Sequence, residues 1–307
     1  MPSIIQSQGL RTLADIRAYA NLQNAIGALD TADITPTIGA IVEVENLNAV
    51  DVPYIWHPPR MREWIGERQL STMQGGRVRI DVRTFEASVA IPRSLLEDEM
   101  LTVLEGRIRQ LGNEYVRFLH EQTINVLLNG QTLNSFDALP LLSAARGTTN
   151  TNLLTAPLSM TSLQDAISSM MSFEEPDTGR VLGIEPTHLL VGPRLRWTAT
   201  QLLESQAVVI AGNTDRTVAN SNPLQGVVQL LVSPYIRANQ WFLIAAGANE
   251  ARPVLRVDRI DVRAEFSART TPDSDSYFYR DSLEYGLRAR HGWGPGAWFS
   301  VIGSFPT

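Results

Sequence analysis

The sequence predicts an α+β protein of more than one lobe. Three observations carry that prediction: one very long amphipathic helical pattern from Ser94, several runs of two-residue hydrophobic alternation on either side of it, and no βαβ series. With 307 residues, 44% of them hydrophobic, the chain can bury a core divided between two or three lobes.

The helix has the strongest local signal. Ser94 and Glu97 form a capping box ahead of Leu96, Met100, Leu104, Ile108, Leu111, Tyr115 and Leu119 at helical spacing. The pattern runs to about Asn129, with Gly130 as C-cap and Gly112 as a point of bending. Residues 94–129 at about 1.5 Å each make a rod of about 54 Å, longer than one compact lobe needs, so the helix reads as a spine.

Before the spine, Leu10, Leu13, Ala14, Ala20, Ile26 and Leu29 suggest a short arm helix, and Ile41, Val42 and Val44 a strand. Pro53, Pro58 and Pro59 predict extended, exposed chain without regular structure. Val78, Ile80 and Val82 then alternate with Arg77, Arg79, Asp81 and Arg83, a strand with one wet face, and a second β-rich run covers Thr84 to Ile91. The charged face divides evenly between a solvated surface and a contact with neighbours.

After the spine, residues 131–152 read as a loop-rich stretch, and Thr161 with Gln164 caps a helix through Met171. Residues 188–193 form a short buried strand, and Pro193 opens a helix carrying Leu195, Trp197, Leu202 and Leu203. Residues 227–236 and 240–247 are strand-like runs of a second lobe, and 254–266 and 282–290 alternate again.

Composition excludes several chemistries. Every one of the 26 cationic residues is arginine, so phosphate loops, Schiff bases and lysine nucleophiles are absent. Arginine instead offers a planar fork that suits contacts between chains. Cysteine is absent too, removing disulfides, thiolates and cysteine metal sites. The net charge of −6, without a basic patch, argues against gripping nucleic acid. No secretory signal or run of about 18 apolar residues occurs, so a soluble protein made in the cytoplasm, away from membranes, is expected.

Catalytic and metal patterns fail on context. His57, His120, His188 and His291 are scattered without metal-site spacing and read as structural, and no G-x-S-x-G elbow occurs. Gly292, Gly294 and Ala297 match a dinucleotide fingerprint, but too few residues follow, leaving a glycine-rich turn between strands. Asp273 and Asp275 read as a solvated loop, and Glu174, Glu175 and Asp177 as a wet helix end. No enzyme activity, cofactor or metal is expected.

Two segments, PPRMREWIGERQ at 58–69 and FYRDSLEYGLRARHGWGPGAWFSVIGS at 278–304, resemble the Mu-like phage major head subunit family. PLLSAARG and EPTHLLVGPRL fit the same order, with Ala145 and Arg146 where that family usually has a histidine. The resemblance implies the Hong Kong 97 capsid fold: an N-terminal arm at 1–53, an extended loop at 54–92, and a peripheral domain at 93–205 with spine helix 94–129. An axial domain at 206–252 follows, and 253–307 returns to the peripheral domain. It further implies self-assembly into pentamers and hexamers that enclose double-stranded DNA without sequence-specific binding.

For assembly, Arg60, Arg62 and Arg68 of the loop are expected to pair with Glu97, Asp98 and Glu99 of an adjacent spine helix, with Trp64 filling an apolar pocket. Some capsids of this fold link a lysine to an asparagine of the next subunit, which this chain cannot do, so non-covalent contacts and a cement protein are expected instead. The initiating Met1 suggests that scaffold and maturation protease are separate chains, as is the portal. The alternatives are an encapsulin-type compartment shell, told apart by its cargo, and a tail-tube subunit, against which the long helix argues.

Overall fold

The computed structural model describes residues 5–6, 33–55, 75–94, 101–176, 178–210, 218–247, 251–262, 264–271 and 273–306. Ser94 is helical and Leu101–Leu128 forms helix α2, about 42 Å long at the usual rise. It follows helix α1 (Thr35–Ile38), and α3 (Met160–Met171), α4 (Arg196–Glu204) and α5 (Asp275–Arg280) come later. Strands β1 (Ile5–Gln6), β2 (Gly39–Val44), β3 (Ala49–Ile55), β4 (Gly75–Asp81) and β5 (Arg83–Pro92) precede the spine, and β6 (Leu153–Leu154) and β7 (His188–Val191) come after it. The rest are β8 (Ala207–Ile210), β9 (Val218–Ser221), β10 (Gln229–Val232), β11 (Trp241–Ile244), β12 (Val254–Arg259), β13 (Glu265–Arg269), β14 (Ser282–Pro295) and β15 (Val301–Ser304).

One sheet is organised on β14. The first ten of its fourteen residues pair with β5 along one edge, Ser282 opposite Pro92 through His291 opposite Arg83. On the other edge β12 and β13 follow one another, with Asp258 opposite His291 and Glu265 opposite Arg288, separated by the 3-10 turn Ile260–Val262. β2 and β1 add in parallel outside β12 and β13. The spine covers one face. Ile108, Leu111, Tyr115, Val116 and Leu119, at spacings of three and four, meet Ile91, Phe266, Leu283, Tyr285 and Leu287 in a closed apolar cluster.

The second sheet runs β10-β7-β11-β15-β6. It fills a larger core with Trp241, Phe242, Trp298 and Ile302, which the C-terminal end of the spine enters through Ile124, Val126 and Leu127. One helix therefore serves two cores. β10 and β11, anticipated within 206–252, share this sheet with β7 and β15 from outside that segment, because a sheet is closed by pairing and not by chain order.

Local expectations fare unevenly. The spine ends at Leu128, next to the anticipated end, and Val78, Ile80 and Val82 are buried as their alternation requires. Pro53, anticipated in irregular chain, lies within β3 opposite Arg77. Among the described residues the β3–β4 ribbon has two strands, so both have an open edge where a missing N–H is tolerated. The cap of helix α3 lies two residues ahead of the anticipated Thr161: Ser159 Oγ accepts from Ser162 N–H at 3.2 Å and Ser162 Oγ accepts from Ser159 N–H at 2.9 Å. The predicted arm helix at 10–29 lies outside the described residues.

Candidate assembly surfaces

Among the described residues the β3–β4 ribbon pairs with no other strand, which leaves it a two-stranded sheet of its own. Its root is fixed to the body in two places. Ile80 of β4 lies against Gly292 and Gly294 of β14, where a Cβ would come within 2.8 and 2.7 Å of the isoleucine side chain. These glycines, anticipated as a turn between strands, are in the strand itself and permit close crossing. Farther out, Tyr54 of β3 stacks on Phe136 at 4.1 Å and meets Phe299 at 5.6 Å. Burial first, and the charge of Glu175 second, raise the Tyr54 pKa well above that of a free phenol. Glu175, anticipated on a wet helix end, is 4% exposed and accepts from Thr178 Oγ1 at 2.5 Å.

Between the first sheet, the spine and the segment at α1 lies a buried polar chain. Arg256 of β12 is 2% exposed and bonds Asp33 through Nη1 and Asp258 Oδ2 through Nη2 at 3.1 Å. Its Nε is 2.9 Å from Asp258 Oδ1 but poorly aligned for a hydrogen bond. Burial alone lowers its pKa, yet Asp258 and Asp33 outweigh burial and raise it, keeping the guanidinium charged. His291 joins Asp258 through Nδ1 and Tyr115 Oη through Nε2, both at 2.9 Å. On the arm side Thr35 Oγ1 donates to Asp33 at 2.6 Å and lies 2.6 Å from Thr123 Oγ1 of the spine. The chain ties α1, the sheet and the spine into one unit. Sequence spacing hid it, because Asp258 and His291 become neighbours only through the β12–β14 register.

The other histidines in described positions have packing roles. His120 bonds Ser233 Oγ at 3.0 Å, and His188 bonds Thr187 Oγ1 at 2.7 Å. Arg146 is clamped by Asp137 and by the carbonyls of Leu139, Pro140 and Leu141, with its guanidinium over Trp298 at 4.8 Å. It ties the 131–152 loop to the core. No group of three or more histidine and carboxylate side chains could hold a metal ion among the described residues. Nor, among them, is any helix long and apolar enough to cross a membrane.

The charged face of β4 makes weak local pairs, Arg79 with Asp81 at 3.5 Å and Arg77 with Asp51 at 4.0 Å, all well exposed. Arg60, Arg62, Trp64 and Arg68, and Glu97, Asp98 and Glu99, lie outside the described residues. Three large side chains stand out instead: Trp197, Phe278 and Tyr279, at 75%, 75% and 77% exposure.

A spine joining two cores, a separate two-stranded ribbon and large exposed aromatics are the marked features of the described residues. Solved structures carry the same fold. The procapsid of bacteriophage JBD30 matches 97% of this chain and 77% of its own, at 17% identity and a TM-score of 0.53. Microbacterium phage Oxtober96 matches 100% and 95%, at 11% identity and 0.56. A virus-like particle from Pyrococcus furiosus matches 95% and 100%, at 9% identity and 0.51. No curated protein matches the sequence. The chain belongs to the phage capsid protein family, whose model matches residues 76–302, and it is a head-shell subunit of the Hong Kong 97 fold.

Proposed function

We propose that this chain is the major head subunit of a Mu-like tailed phage and builds pentamers and hexamers around double-stranded DNA. The observation that carries the reading is the β3–β4 ribbon, rooted firmly on the body and, among the described residues, paired with no other strand. A two-stranded ribbon is marginal alone, so its stability is completed by a neighbouring subunit. Arg60, Arg62 and Arg68 pair with Glu97, Asp98 and Glu99 of the next subunit, and Trp64 packs into an apolar site there. The arm is 1–53, the extended loop 54–92, the peripheral domain 93–205 with the return 253–307, and the axial domain is centred on 206–252.

The role is structural and not enzymatic. Portal, scaffold and maturation protease are separate chains, a cement protein strengthens the lysine-free shell, and synthesis is in the host cytoplasm. The acidic balance suits a wall that confines DNA without holding it. The fold is also that of a virus-like particle from Pyrococcus furiosus, so a closed particle other than a phage head, such as an encapsulin-type compartment, is the second reading. Electron microscopy and sizing of the chain, expressed alone and with its neighbouring genes, tests both. Closed shells enclosing DNA support the head reading, shells enclosing a protein cargo replace it, and a monomer under every condition refutes both.

A further inference from the structure

A cavity of about 620 Å³ lies where the ribbon meets the body. β4, the end of β14, Gln122 of the spine and the loop at 133–138 all contribute to its walls. Its size falls within the range of about 300–1,000 Å³ that holds small organic ligands. The whole chain carries a charge of −6, yet the described lining sets Arg77, Arg79 and Arg83 against one carboxylate, Asp81. Positive charge is gathered here against the trend of the sequence.

These cations are lightly held. Arg79 lies 3.5 Å from Asp81 and Arg77 lies 4.0 Å from Asp51, exposed pairs of a kind that contributes little. The Arg83 guanidinium has no ion pair among the described residues, and there the side-chain amides of Gln122 and Asn134 make no hydrogen bond. The indole N–H of Trp293, another lining residue, is buried without an acceptor among them. A buried donor left over costs stability until an acceptor reaches it. His291 is already satisfied, since Asp258 and Tyr115 take both ring nitrogens. Donors therefore exceed acceptors, and the fitting ligand is an anion rich in oxygen. Arg77 to Arg83 covers about 20 Å of strand, so linked anionic groups suit it better than a single monoanion. Guanidinium forks match phosphate oxygens two at a time.

We propose that this cavity binds a short phosphate-chain anion, free polyphosphate or the phosphate tail of a nucleotide, held chiefly by Arg79 and Arg83. The ligand braces the ribbon, because it touches β4 on one side and the spine and the 133–138 loop on the other. Binding that favours one ribbon position lowers the population of the rest. The cavity belongs to a single subunit, so the inference stands apart from the head-shell reading.

Titration calorimetry of the unassembled full chain with tripolyphosphate, at constant ionic strength so that screening is unchanged, is the test. Binding saturates at one per subunit, and hydrogen exchange at residues 76–82 slows at least about threefold. Arg79→Gln with Arg83→Gln weakens binding at least about tenfold and leaves the ligand-free melting temperature unchanged, since both side chains are exposed. Arg194→Gln with Arg196→Gln, exposed arginines elsewhere, binds as the native chain does. Adenosine triphosphate separates the two sources: equal or weaker binding assigns the site to the free chain, and tighter binding to a nucleotide. Binding that does not saturate, that survives the Arg79 and Arg83 substitutions, or that leaves exchange at 76–82 unchanged in the native chain overturns the inference. The head-shell reading is judged separately, by whether closed shells form.

Discussion

Replacing Arg256 by methionine keeps the bulk of the side chain and removes its charge, stranding two carboxylates whose residues are 8% and 0% exposed, Asp33 and Asp258. Breaking a buried ion pair from one side costs about 3–5 kcal/mol, because the remaining charge stays desolvated. A typical domain has only about 5–15 kcal/mol of stability, so the variant retains a fold of reduced stability. At roughly 2–4 °C per kcal/mol for a chain somewhat smaller than this one, the melting temperature falls by about 6–20 °C. Calorimetry on the unassembled subunit is the assay, since association would add stability of its own. Adding Asp33→Asn to Arg256→Met should recover part of the loss, because one stranded charge is removed with little change of shape. An unchanged melting temperature for Arg256→Met, or a further drop on adding Asp33→Asn, would refute the claim that charge compensation holds this junction.

Gly292→Val places a side chain on a position where even a Cβ is 2.7 Å from Asp81 O, so β4 must lift from β14. Hydrogen exchange at residues 76–82 should rise by at least about tenfold while exchange in Leu101–Leu128 stays slow. Ile108→Ala and Ile124→Ala remove fully buried side chains from the two cores and should each destabilise the subunit by about 2–5 kcal/mol in chemical denaturation. The spine's membership in both cores predicts one cooperative transition for each variant. His188 is pushed below its ordinary 6.5, first by burial and then by Arg252, with a Gln229 hydrogen bond opposing. The folded state thus binds that proton less readily than the unfolded one, and stability falls as pH drops below about 6.5. His188→Gln should flatten that acid limb in melts from pH 7 to 5.

Legibility in the sequence followed the range of the interaction. The spine and the Val78, Ile80, Val82 alternation are local patterns, set by residues that face the same way along one element, and they were readable directly. Gly292 and Gly294 were visible as glycines, but the reason for them is Ile80, more than two hundred residues earlier, and no local rule predicts that crossing. Pro53 misled for the opposite cause: proline argues against a strand until one knows that the strand has an open edge. Asp258 and His291 made the same point at the buried junction, where register alone converts two scattered residues into a pair. The exposed Trp197 kept the helical spacing of a core residue, and only the packed structure shows that it stands outside the core.

The same distinction bears on how a shell subunit is built. Parts that must stay rigid while neighbours attach are fixed here by contacts distant in sequence: Ile80 on Gly294, Tyr54 on Phe136, and Arg256 between Asp33 and Asp258. Each of these joins an element that precedes the spine to one that follows it. The ribbon and the segment at Asp33 therefore cannot shift without disturbing the sheet, the loop or the spine they are tied to. A subunit with loosely hinged attachments would lose ordering entropy each time a neighbour docked, and the association would be weaker for the same contacts. Holding the ribbon root in advance removes that loss, so substitution of Tyr54 should lower the assembled fraction, read by sizing, by more than its effect on the isolated subunit's melting temperature accounts for.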